Sequence, residues 1–222
     1  MVIGPESWRR VSEGPHGCLR TDEAHQKNIP RLKAGIAGLL YLVIFVAAPS
    51  GAATATPARM IITLACDTGV ALIFYGLLKA ISWRLSLLAA LLRLIFVSVM
   101  AVNAMSYFGV VVLFRNAHSP SAFNTAYEIA MVPFGVHCLL IGYLIFHSPF
   151  FPRILGLLMA LAGVGYLTFL WPRLGSHLFF PWIMIPGIAG EGSLTLWLLV
   201  VGVNAQRWKR QANAMRVDRR PL

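Results

Sequence analysis

Apolar positions in this chain neither alternate with polar ones at a period of two nor form a single stripe at the helical period. They come in long, nearly unbroken runs separated by Pro, Gly and charge. The runs are Ala34 to Ala48, Met60 to Leu78, Leu85 to Phe114, Ile129 to Phe146, Ile154 to Leu170 and Trp182 to Val203. A helix needs roughly 20 apolar residues to cross about 30 Å of hydrocarbon, so the pattern predicts an all-α polytopic membrane bundle of six transmembrane helices. The first run reaches full length only by including Gly51 to Ala53, and the third is long enough to require tilt or an interfacial start. Trp83, Trp171, Trp182 and Trp208 fall at run ends, where interfacial aromatics belong.

Composition excludes a sizeable water-soluble core: 58% of the 222 residues are hydrophobic, 12% are charged, and the mean hydropathy is +0.70. Charge orients the spans. Of 19 Lys and Arg, all but Arg59, Arg93, Arg115 and Arg173 fall in the two tails and in the second and fourth connections. By the positive-inside rule both termini are cytoplasmic, and a bacterial inner (plasma) membrane is the expected location. The expected divisions are a disordered tail over 1–30, a membrane domain over 31–205 and a basic tail over 206–222. A net charge of +11 suits topology better than nucleic acid, because no nucleic-acid motif accompanies it. The C-terminal cations can also rest on anionic lipid. Ala53-Thr54-Ala55 resembles a cleavage site, but a polar region of more than thirty residues precedes the first run, which is therefore read as a span. Cys18, Cys66 and Cys138 have no paired spacing, and the last two read as small buried groups.

Candidate chemistry lies inside the runs. A rise of about 1.5 Å per residue puts Asp67, His137 and Glu191 roughly 10, 12 and 14 Å below the outer ends of their runs, and Asn103 about 16 Å below Phe114, with Ser106 and Tyr107 extending a polar stripe. Ionisable groups at such depth cost on the order of 2.5–3.5 kcal/mol on insertion scales and face the bundle interior or a wet cavity. Gly187, Gly190 and Gly192 let a neighbouring backbone approach Glu191. Pro186 and Pro133 each remove a ladder donor, freeing a carbonyl near Glu191 and His137. A buried carboxyl with no strong cation beside it is expected to hold its proton. Arg93, counted about 31 Å below Phe114, is expected to snorkel to the cytoplasmic interface rather than pair with Asp67. Glu128 reads as a solvated acid at a helix start.

The segments "AGIAGLLYLVIF", "GLLKAISWRLSLLAALLRLI", "GVHCLLIGYLIFHSPFFPRILGLLMALAGVGYL" and "PGIAGEGSLTLWLLVVGVN" resemble the bacterial integral-membrane family known as domain of unknown function 4386. The shared habits are an acid in the second span (Asp67), an arginine in the third (Arg93), His137-Cys138 in the fourth and Gly190-Glu191 in the sixth. The resemblance covers residues 31 to 204 and implies fold and topology without a mechanism. This chain departs from it in a long N-terminal tail and a short first outer loop.

Three functions fit these residues. The first is proton- or cation-linked transport or sensing of a small solute at a midplane polar site of Asp67, Asn103, His137 and Glu191, supported by Arg93, Tyr107, Pro133, Pro186 and Gly190. The second is a non-catalytic membrane component acting through lipid or a membrane partner. The third is an intramembrane metal-dependent hydrolase, for which His137, Asp67 and Glu191 are permissible ligands. It is weakened by a single histidine at depth and by Cys66 and Cys138 lying about 100° round the helix from their neighbours. "GEGSL" lacks the flanking pattern of a nucleophile elbow, and His118, His147 and His177 lie at or outside run ends, which removes a bis-histidine haem. No cofactor is expected, and the sequence leaves the enzyme question and oligomeric state open.

Overall fold

The computed structural model describes residues 16–48, 52–109, 119–178 and 182–218. Among them every regular element is helical: α1 His16–Ala47, α2 Pro57–Leu78, α3 Trp83–Tyr107, α4 Pro120–Phe146, α5 Arg153–Leu167, α6 Pro172–Leu178, α7 Met184–Val200 and α8 Ala205–Asp218. Local chemistry sets several starts. Thr56 and Ser119 cap α2 and α4 from positions just before Pro57 and Pro120, accepting from the Arg59 and Ala122 amides at 3.3 and 3.2 Å. Asn204 caps α8 through the Arg207 amide at 3.1 Å. Arg59 explains itself similarly: its Nε donates to the Ala47 carbonyl at 2.9 Å and its Nη2 to the Ala48 carbonyl at 3.2 Å, satisfying the end of α1 from the start of α2.

Among the described residues five helices are long and apolar enough to cross a membrane, and α7 with α8 passes the same test as a pair bent by 105°, giving up to six. Packing resolves how α7 counts. Successive neighbours touch in the order α1, α2, α3, α4, α5, α7, and α7 returns to α1, so six helices close an up-and-down ring. A ring of six leaves a centre that the helices themselves do not fill, and long side chains must fill it.

One expectation needs correction. The third span ends at Tyr107, seven residues before Phe114, and Phe114 lies outside the described residues. Helix α1 begins at His16 and runs through Pro30 into its apolar half. Expectations for residues 1–15 and for Arg115 and His118 fall outside the described residues.

The ends of the ring differ. One, the basic end, carries the α2–α3 turn with Lys79 and Arg84, the α4–α5 turn, and α8. At Gly202, which has φ +69°, the chain takes the left-handed conformation that glycine tolerates and turns sharply from α7 into α8. Helix α8 then folds under the ring. Trp208 Nε1 donates to the Leu77 carbonyl at 2.7 Å, one of the last carbonyls of α2, and Arg207 Nη1 reaches the Pro149 carbonyl at 3.2 Å. Trp208→Phe keeps the ring but removes that donor. It is expected to loosen α8 by about 1 kcal/mol, read as faster tryptic cleavage after Arg207, Lys209 and Arg210 with the melting of the bundle unchanged.

Candidate functional site

The centre of the ring is filled by Arg93. It is fully buried, standing ten residues into the 25-residue α3, and its guanidinium ties three other helices to its own. Nε donates to Asp67 Oδ1 of α2 at 3.0 Å, and Nη2 donates to the same oxygen. Nη1 donates to the Tyr41 hydroxyl of α1 at 2.7 Å and to His137 Nε2 of α4 at 3.2 Å. The histidine tautomer follows from its other bond. Nδ1 lies 2.7 Å from the Ala89 carbonyl, which can only accept, so Nδ1 carries the proton and Nε2 is the acceptor for Arg93. Four of the five guanidinium N–H groups are thereby used. The plane of charge also lies against the rings of Tyr41 and Phe134, 4.9 and 5.3 Å from their centroids. A buried cation needs both a counter-charge and hydrogen-bond acceptors, and Arg93 has them from three neighbouring helices.

Between the plug and the basic end the interior is hydrocarbon: Phe74, Leu77, Leu78, Leu144, Ile145, Leu194 and Leu198 are essentially inaccessible. On the far side of the plug lies a cavity of about 260 Å³. Every ring helix contributes to its wall. Ile44 and Phe45 come from α1, Thr63 and Asp67 from α2, Arg93 and Phe96 from α3, Tyr127 and Phe134 from α4, Tyr166 from α5, and Gly187 and Glu191 from α7. The Tyr166 hydroxyl donates to Glu191 Oε1 at 2.7 Å. Phe134 links the two groups of polar residues, since its ring contacts His137 at 5.7 Å and Tyr166 at 5.3 Å between centroids.

The positions of Asp67, Arg93, His137 and Glu191 have a simple order when counted from the basic end. They stand nine to eleven residues from the basic ends of α2, α3, α4 and α7, about 14–16 Å along each axis. Asp67 and His137 are joined through Arg93, and Glu191 shares the cavity wall with Asp67 and Arg93. The expected snorkelling of Arg93 is therefore wrong, and so is its separation from Asp67. Counting depth from Phe114, beyond the true end of α3, puts Arg93 about 10 Å too far toward the basic end. The same error drew Asn103 into the layer. It lies four residues from Tyr107, where its Nδ2 donates to the Phe123 carbonyl at 3.0 Å and joins α3 to α4. Tyr107 packs there too, on Phe108 and Phe123.

The supporting residues divide similarly. Gly190 and Gly187 do admit close neighbours: a Cβ on Gly190 would meet the Leu158 carbonyl at 2.7 Å, and one on Gly187 would meet the Tyr166 hydroxyl. Gly192 has no such neighbour from another helix. Pro133 sits within α4, one residue before Phe134. Pro186 lies in the first turn of α7, just after wider π-type winding at Trp182 and Ile183, a distortion expected beside a residue that cannot donate to the ladder. A metal site is not built here: among the described residues no three His, Cys, Asp or Glu side chains converge as ligands, and both nitrogens of His137 are already engaged. Tyr41 and Tyr166 were not singled out from the sequence. Their signal was a phenol inside an apolar run, at mid-run for Tyr41 and four residues before the run's end for Tyr166, and a buried phenol needs a partner.

The family model described as Domain of unknown function (DUF4386) matches residues 54–202, which span α2 through α7. The chain belongs to this family. A relative from Archaeoglobus fulgidus, described as an uncharacterized protein, is 27% identical over 143 residues, covering 61% of this chain and 76% of the relative. No solved structure matches. Residues of the DUF4386 region supply Asp67, Arg93, His137, Tyr166 and Glu191, whereas Tyr41 comes from α1, before the matched segment.

Proposed function

We propose that this DUF4386 protein handles a small solute, as a carrier or sensor, by binding it in the cavity above the Arg93 plug with coupling to a proton or cation. The observation that carries this reading is a cavity of about 260 Å³ whose wall, drawn from all six ring helices, includes two acids and an arginine. Side chains serving purely as helix glue are expected to close on one another and leave no space, whereas Thr63, Tyr127 and Glu191 border an open volume. The excess of cations at the basic end supports placing it, with both termini, in the cytoplasm of a bacterial cell, so that the cavity faces outward. Movement through the protein then requires the plug to open. The ring is well suited to that, because Arg93 holds α1, α2 and α4 through a few polar contacts that a rearrangement can exchange.

The test is flux in proteoliposomes. Proton movement across vesicles holding the wild-type chain is expected to exceed that of empty vesicles, and Asp67→Asn and Glu191→Gln are each expected to bring it close to the empty-vesicle rate. Unchanged movement in both variants, with no change in ligand-dependent melting, overturns the reading.

A further inference from the structure

The cavity wall states what kind of solute it suits. Most of it is hydrocarbon, sulfur and aromatic ring: Met60, Met100, Met131 and Met184 line it with Phe96 and Phe134. Against this background two polar groups stand without full satisfaction. Thr63 Oγ1 is buried, with the residue 9% exposed, and has no hydrogen-bond partner among the described residues. Thr68, Ser98 and Thr195 bond back to the carbonyl four residues earlier, which Thr63 does not. The Glu191 carboxyl, on a residue 8% exposed, receives one hydrogen bond among the described residues, from Tyr166.

Charge decides between possible heads. Arg93 is neutralised by Asp67 and has spent four of its five N–H groups, so it offers an anion little, and an anion would also face two acids. Glu191 has no basic partner among the described residues. An unpaired carboxylate at this depth is costly, so it holds a proton or faces a cation. The ionisable groups around it are Tyr166 of α5, Tyr127 and Cys138 of α4, Asp67 of α2, Arg93 of α3 and Tyr41 of α1, and Arg93 is the single cation among them. Tyr127 and Tyr166 stand in the same wall, and aromatic rings beside a cavity attract a positive head.

Access follows from two lining residues that are also exposed. Phe45 of α1 is 40% exposed and Ile188 of α7 is 55% exposed, so the cavity reaches the lipid-facing surface between these helices. The same two helices are in close contact nearer the basic end, where Gly38 packs on Leu198 and Leu199. Resting on the solute-binding reading above, we propose that the cavity takes a lipophilic monovalent ammonium ion from the bilayer between α1 and α7, whose head displaces the proton of Glu191. The exchange balances: the carboxylic acid and the cation give a carboxylate–ammonium pair and one proton, which leaves toward the end of the ring opposite the basic end. No bond to carbon forms or breaks.

The test uses the purified full chain in lipid nanodiscs and three probes of similar shape: benzyltrimethylammonium, its uncharged isostere neopentylbenzene, and benzenesulfonate. Binding is followed by the melting shift and by equilibrium dialysis, and proton release in weak buffer. The ammonium is expected to bind best and to release one proton per ion bound. Its affinity is expected to rise by about tenfold per pH unit while Glu191 is protonated. Glu191→Gln is expected to lose at least about tenfold in affinity and to release no proton. Tyr166→Phe, which keeps the carboxyl, is expected to retain cation preference and proton release, and Glu191→Asp does the same if the glutamine variant fails to fold. Equal or tighter binding of neopentylbenzene or benzenesulfonate overturns the cation assignment and leaves the solute-binding reading standing. If none of the three binds, the ammonium assignment falls as well, and the flux test above decides the solute-binding reading.

Discussion

Arg93→Met lowers stability by about 3–5 kcal/mol, the cost of leaving a buried carboxylate without its cation. Asp67 loses its counter-charge, Tyr41 and His137 lose their shared donor, and the centre of the ring loses the side chain that fills it. Adding Asp67→Asn to Arg93→Met removes the stranded charge and is expected to recover a large part of that loss, since replacing both members of a buried pair is far less harmful than removing one. Unfolding of the two single variants and the double variant in mixed detergent micelles closes the cycle. Equal destabilisation by the single and double variants would show that Arg93 acts by volume alone. Arg93→Lys is no substitute either, because a point charge cannot reach Asp67, Tyr41 and His137 with the same planar fork.

The second large effect is expected where α4 meets α5. Gly142 and Gly156 face each other, as do Gly135 and Gly163, so two pairs seven residues apart bring the backbones together. A Cβ on Gly142 would lie 2.7 Å from the Gly156 carbonyl oxygen, and one on Gly156 would lie 2.6 Å from both the Gly142 carbonyl oxygen and the Phe146 amide nitrogen. These neighbours are backbone and cannot rotate away. Gly142→Ala and Gly156→Ala are each expected to cost about 1–3 kcal/mol, seen as a lower melting temperature and faster proteolysis of the α4–α5 turn. Gly35→Ala supplies the opposite case, because a Cβ there meets nothing within 4 Å. It is expected to be neutral or to stabilise α1 by up to about 1 kcal/mol through helix propensity alone. A uniform effect at all three positions would remove the packing explanation.

Asp67, His137 and Glu191 were legible as a set because each interrupts a run whose other members are apolar, and the price of an ionisable group in hydrocarbon makes such an interruption informative. Their common level was legible too, since rise per residue converts position into depth. Arg93 shows where that conversion fails. It depends on knowing where a helix ends, and the apolar stretch continuing past Tyr107 concealed the end of α3. Asn103 was misplaced for the same reason, and it serves a contact near the far end rather than the central layer.

By itself, the sequence determined what depends on composition and one-dimensional spacing: helices throughout, where most of the apolar runs lie, a basic end, and the few polar residues that hydrocarbon would not tolerate facing outward. Those properties follow from the solvent, because lipid acts on each run separately. Which side chains meet was decided by the closed ring, since partners such as Tyr41, Asp67, His137 and Arg93 are far apart in the chain and converge only through the rotation and height of each helix. The cavity was decided there as well: six helices closed in a circle leave a centre, and one half of it is filled by a guanidinium and apolar side chains while the other half stays open.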